Sequence, residues 1–123
     1  MGMNTQKKKV LVVDDEEPLR DIIKEVLGML KMQVIEAETG IQAIEIVSAL
    51  SNPVDLMIID LHMPNMTGEE TFEKLRSRFP DCPVLFISGY HGNNHKSILD
   101  EKTRFLKKPF TLNELQKAVS ALL

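Results

Sequence analysis

Val54-Asp-Leu-Met-Ile-Ile-Asp-Leu-His-Met-Pro-Asn-Met-Thr-Gly68 is an apolar run that stops on a carboxylate, Asp60. A short run rich in branched residues, bounded by polar and turn-forming residues, reads as a buried strand of a parallel sheet. Pro64 and Gly68 then end the strand and let the chain turn toward a helix. Asp60 is therefore expected at the carboxyl end of a central strand. In open parallel sheets that end borders the crevice where ligands bind.

Around this stretch lie 123 residues, enough for one well-buried core and too few for two. A net charge of -3 argues against nucleic-acid binding by this domain alone. Cys82 is the only cysteine, which excludes an internal disulfide and suits a reducing, cytoplasmic setting. No apolar run reaches transmembrane length and no signal pattern opens the chain, so no membrane partner is expected. Residues 1–9, ending in Lys7-Lys-Lys9, read as a disordered lead-in, leaving 10–123 as the folded domain.

Val10-Leu-Val-Val13 is the first expected strand, and it ends on Asp14-Asp15. Pro18 suits the first turn of the following helix, with Glu16 and Glu17 at its positive end. Leu19, Ile22, Ile23, Val26, Leu27 and Leu30 recur at helical spacing and predict its buried face. Gly28 sits inside that helix, where close packing is one reason for its small size.

Val34–Ala37 is the second strand, and Thr39 is placed to cap a helix that turns Ile44, Val47 and Leu50 inward. Thr67 and Glu70 have capping-box spacing before a third helix carrying Phe72, Leu75 and Phe79. Val84–Ser88 is the fourth strand. A short fourth helix is expected around Ile98 and Leu99. Thr103–Leu106, less apolar and so nearer an edge, is the fifth strand. Thr111 and Glu114 form a second capping box before a last helix with Leu112, Leu115, Val119 and Leu122 on its stripe. Strands alternating with helices predict an α/β fold: a five-stranded parallel sheet, doubly wound, with helices on both faces and right-handed crossovers.

All strand ends then share one rim, which gathers Asp14, Asp15, Asp60, Ser88 and Lys108. Two like charges about 4 Å apart repel by roughly 4 kcal/mol at an effective dielectric of about 20. Three carboxylates need positive charge; Lys108 supplies one unit and a divalent cation the rest. Oxygen ligands without a His or Cys cluster favour Mg²⁺ over Zn²⁺. Each residue alone has a blander reading, the Asp pair as a helix cap and Asp60 as a turn residue. Their joint placement at strand ends is what argues for chemistry.

From Val10 to Leu122 the chain resembles the receiver domain of two-component response regulators, a flavodoxin-like (βα)₅ fold. The resemblance rests on Val-Asp-Asp-Glu at 13–16, Asp-Leu-His-Met-Pro at 60–64 with Gly68, Ile-Ser-Gly-Tyr at 87–90 and Lys-Lys-Pro-Phe at 107–110. It implies that Asp60 is the phosphoacceptor, served by a histidine kinase or a histidine phosphotransfer protein. It implies Mg²⁺ held by Asp15, Asp60 and the backbone carbonyl of His62, with Asp14 acting through water. Lys108 would pair with the phosphoryl oxygens, and its bond to Pro109 is expected to be cis. Ser88 and Phe105 would form the switch, altering a partner-binding face made by the fourth helix, fifth strand and fifth helix. His62 and Tyr90 would flank the path of the hydrolytic water and tune dephosphorylation.

Two other readings stand beside this one. An aspartyl phosphohydrolase of similar fold class carries Asp-x-Asp on its first strand, whereas this run is Asp14-Asp15-Glu16. A receiver-like module that is never phosphorylated usually lacks one of the key residues, and none is missing. No DNA-binding or enzymatic segment lies between Val10 and Leu123. The chain is thus expected to be a stand-alone receiver or a piece of a longer regulator or hybrid kinase.

Overall fold

The computed structural model describes residues 7–63, 66–89 and 102–123. In chain order these form β1 (Lys9–Val13), α1 (Glu17–Met29), β2 (Gln33–Ala37), α2 (Gly40–Ser48), β3 (Leu56–Asp60), α3 (Gly68–Arg78), β4 (Val84–Ser88), β5 (Thr103–Lys107) and α4 (Leu112–Leu122). The helix expected around Ile98 and most of the lead-in lie outside the described residues, so α4 is the fifth helix of the expected series.

The strands pair in parallel in the order β2-β1-β3-β4-β5. The fold is therefore the α/β, flavodoxin-like arrangement, with its topological switch point between β1 and β3. β5 stands at an edge, as its weaker apolar character predicts.

Side chains alternate across the sheet, as strand geometry requires. Val10, Val12, Leu56, Ile58, Leu85 and Ile87 pack with Ile23, Val26 and Leu27 of α1 and with Leu115 and Val119 of α4. Leu11, Val13, Met57, Ile59, Val84 and Phe86 pack with Ala43 and Val47 of α2 and with Phe72 and Leu75 of α3. β3 and β4 are buried along their whole length because both faces are covered. That is why their sequences are unbroken apolar runs that turn polar only at Asp60 and Ser88.

The helix starts follow the expected side-chain logic. Thr39 accepts a hydrogen bond from the Gln42 amide, and both the Thr67/Glu70 and Thr111/Glu114 capping boxes form. Pro18 lies in the first turn of α1.

Three expectations need correction. β1 begins at Lys9, which pairs with Gln33, one residue earlier than the apolar run alone suggests. Ile22 and Leu112 are exposed, because each sits at the margin of its helix's buried arc. Gly28 makes no close approach, since a Cβ there would meet no heavy atom within 4 Å. Just beyond α1, Lys31 takes the left-handed conformation, with φ 60°.

Candidate functional site

β1 and β3 are neighbours, so the residues closing them are held side by side. Asp14 follows β1 with its amide bonded to the Ala37 carbonyl at 3.1 Å. Its Oδ1 accepts the Glu16 amide at 2.8 Å, while its buried Oδ2 has no hydrogen-bond partner among the described residues. Burial pushes the Asp14 carboxyl up to about 6; the Glu16 amide opposes the rise and the Asp60 charge adds to it. Asp60 is the last residue of β3 and is also buried. Its Oδ1 accepts the His62 amide at 2.9 Å and its Oδ2 lies 3.4 Å from Lys108 Nζ. Burial raises its pKa as well, with the His62 amide and Lys108 acting against the rise. Asp15 is exposed, and one oxygen from each of Asp14, Asp15 and Asp60 lies within 4.8 Å of the others.

Lys108 comes to the site from the end of β5. Its amide donates to the Ser88 carbonyl at 2.7 Å, and its bond to Pro109 is cis, as expected. Burial works against the ammonium, but Asp60, Glu16 and Asp14 outweigh it and its pKa rises. The same Nζ is 3.1 Å from Glu16 Oε1, so one cation is shared between a buried and an exposed carboxylate. Ser88 is buried at the end of β4.

Gly68 closes the loop that returns from Asp60. A Cβ there would lie 2.3 Å from the Asp60 carbonyl oxygen and 2.6 Å from Leu61 Cα, so only glycine allows the start of α3 to sit against the end of β3.

Two buried carboxylates, one of them with an oxygen unpartnered among the described residues, face an exposed third, and Lys108 divides its charge between Asp60 and Glu16. The donor set is all oxygen and suits a hard divalent cation, and the unpartnered Asp14 Oδ2 is the kind of atom such an ion or its water shell would satisfy.

The structure therefore brings Asp14, Asp15, Asp60 and Lys108 together, with Ser88 on the adjoining strand end. His62 is exposed beside Asp60. Phe105 stands apart: it is half-buried and stacks on Phe86 at 5.3 Å between ring centroids. Tyr90 lies outside the described residues. Sequence reading missed the Glu16–Lys108 pair, which spans 92 positions, and the burial of Arg20. Arg20 was legible in one respect, because it falls three residues before Ile23 and seven before Leu27 on the same stripe.

A family model described as the response regulator receiver domain matches residues 10–120. The chain belongs to this family. The receiver is 36% identical over 116 residues to the sensor kinase CckA of Brucella abortus, covering 93% of this chain and 12% of that protein. It is 32% identical over 115 residues to the autoinducer 1 sensor kinase/phosphatase LuxN of Vibrio campbellii, covering 93% of this chain and 13% of that one. The chain thus spans only a small part of these relatives.

Among solved structures, the chemotaxis protein CheY4 of Vibrio cholerae superimposes with a TM-score of 0.85 at 27% identity, covering 96% of this chain and all of that one. The receiver domain of the hybrid histidine kinase CckA gives 0.80 at 30%, covering 94% and 98%. The receiver is accordingly a two-component signalling domain, a phosphoacceptor module with the acidic pocket typical of phosphoaccepting receivers. Among the described residues no helix is long and apolar enough to cross a membrane.

Proposed function

We propose that Asp60 accepts a phosphoryl group from a phosphohistidine on a histidine kinase or phosphotransfer protein. The observation that carries this reading is the Asp60 carboxylate itself, buried at the end of β3 within reach of both Lys108 and the Asp14–Asp15 pair. A carboxylate oxygen of Asp60 forms the bond to phosphorus as the P–N bond to the donor imidazole breaks, and the imidazole keeps the electron pair. Lys108 offsets charge on the phosphoryl oxygens. Asp15, Asp60 and the His62 carbonyl would hold Mg²⁺ directly, and Asp14 would act through water. When bound, Mg²⁺ neutralises phosphoryl charge and aligns the group for in-line transfer.

In the same proposal the Ser88 hydroxyl donates to the new acyl phosphate, and Phe105 turns toward the space this opens. The face carrying β5 and α4 then changes for a downstream effector. His62 and Tyr90 crowd the approach of water and prolong the phosphorylated state.

One experiment tests the set. Incubation with acetyl phosphate and Mg²⁺ should give a phosphate adduct that Asp60→Asn lacks. An adduct forming at the normal rate in Asp60→Asn would remove Asp60 from the role, and no adduct in wild type would make the module inert. In the same samples, unmoved Phe105 ring resonances would refute the switch. Decay no faster in His62→Asn and Tyr90→Glu would refute the crowding.

A further inference from the structure

Arg20 is buried on α1, with a side chain only 5% exposed, and phosphoryl transfer as described above makes no use of it. A guanidinium is costly to bury unless its donors are matched to partners. Here they are. NH1 donates to the Asp14 backbone carbonyl at 2.7 Å and Nε to Glu36 Oε1 at 3.1 Å. NH2 lies 3.6 Å from Glu38 and 3.9 Å from Glu17. Arg20 thus ties three pieces of chain together: α1, the end of β2, and the turn that leaves β1.

The bond to Asp14 is the informative one. That carbonyl belongs to the peptide joining Asp14 to Asp15, and the orientation of this peptide sets where both side chains point. The Asp14 amide is separately held by Ala37. With both its amide and its carbonyl engaged, Asp14 has little freedom to turn its carboxylate away from Asp60. Repulsion among the three carboxylates would favour such a turn, so something must hold the peptide in place. A planar fork reaching a carbonyl on one side and a carboxylate on the other does this, whereas a lysine ammonium offers no fixed fork.

We propose that Arg20 is a positioning residue for the cation site: it clamps the Asp14–Asp15 peptide so that both carboxylates face Asp60. The inference rests on the acidic cluster binding a divalent cation, as proposed above, and its test separates the two ideas.

Mg²⁺ alone is titrated into wild type, Arg20→Lys and Arg20→Met, with amide resonances as the readout. Removing an outer partner that orients metal ligands weakens affinity by about tenfold or more, and Arg20→Met is expected to show that loss with Arg20→Lys in between. In metal-free protein, the Glu16 amide that donates to Asp14 should exchange about tenfold faster in Arg20→Met, while the Ile58 amide in β3 keeps its rate. Unchanged Mg²⁺ affinity in a folded Arg20→Met overturns the proposal, even if its melting temperature falls, because that pattern is a purely structural role.

Should Arg20→Met not fold, Arg20→Lys and Glu36→Gln take its place. Unchanged Mg²⁺ affinity in both then overturns it. A wild type that binds no Mg²⁺ defeats the reading of the cluster, and the Glu16 exchange rate decides on Arg20 alone.

Discussion

The two rims of the sheet are built from the same strands and differ in how their charges are balanced. At the amino-terminal rim several polar groups find partners within the chain. The Lys9 amide donates to Asp55 Oδ2 at 2.8 Å, the Cys82 thiol reaches the Val54 carbonyl, and Arg76 NH1 donates to the carbonyls of Phe79, Pro80 and Cys82. At the carboxyl-terminal rim two carboxylates are buried, one lysine is divided between Asp60 and Glu16, and Asp14 Oδ2 is left over. The excess of negative charge at the carboxyl-terminal rim marks it as the place for something from outside.

The sharpest way to break this contrast is Asp14→Asn. The folded carboxyl sits at about 6 against an ordinary 3.8, raised mainly by burial. A raised carboxyl pKa means the folded state holds the proton more tightly than the unfolded chain. The stabilisation from that proton is complete at pH below the unfolded value and is lost as pH rises through the folded one. Metal-free wild type should therefore lose stability between pH 4 and 6, and Asp14→Asn should escape that loss. At pH 7 the variant should be more stable by on the order of 1–3 kcal/mol, with almost no difference near pH 4. Saturating Mg²⁺ should narrow the gap. Urea titrations at the two pH values decide it; equal midpoints at pH 7 without metal would mean the acidic rim stores no excess charge.

The opposite rim should respond with the opposite sign. Arg76→Met removes the donor to three carbonyls and is expected to cost about 2 kcal/mol. Mg²⁺ affinity should stay where it was, and a drop in it would show that the rims are coupled through β3 and β4. Asp55→Ala should have the smallest effect, a loss of about 0.5–1 kcal/mol, because the bond it removes is exposed. A larger loss from Asp55→Ala than from Arg76→Met would reverse the ranking of contacts at that rim.

Much of this molecule is legible in the sequence, for physical reasons that also mark where legibility ends. β3 and β4 announce themselves because a strand covered on both faces must be apolar at every position, so Asp60 and Ser88 stand out as interruptions. Thr39, Thr67 and Thr111 are legible because a cap depends only on residues three apart. Arg20 was legible only through its place on the stripe of α1, because apolar periodicity itself passes over a charged residue. Ile22 misled in the converse way, since apolar character says nothing about where the buried arc ends. The Glu16–Lys108 pair depends on how β1 and β5 are brought to one rim, which no local pattern records.

Gly68 has a mechanical side. With its Cβ position only 2.3 Å from the Asp60 carbonyl oxygen, the backbone at the head of α3 rests on the backbone at the end of β3 with no side chain as cushion. Two bodies in such contact form a linkage without backlash: a push on one is delivered to the other before any slack is taken up. The peptide bearing Asp60 cannot advance toward α3 unless the helix yields with it. Any displacement that a new charge on Asp60 imposes on its own main chain in that direction is therefore handed to an eleven-residue lever at full stroke.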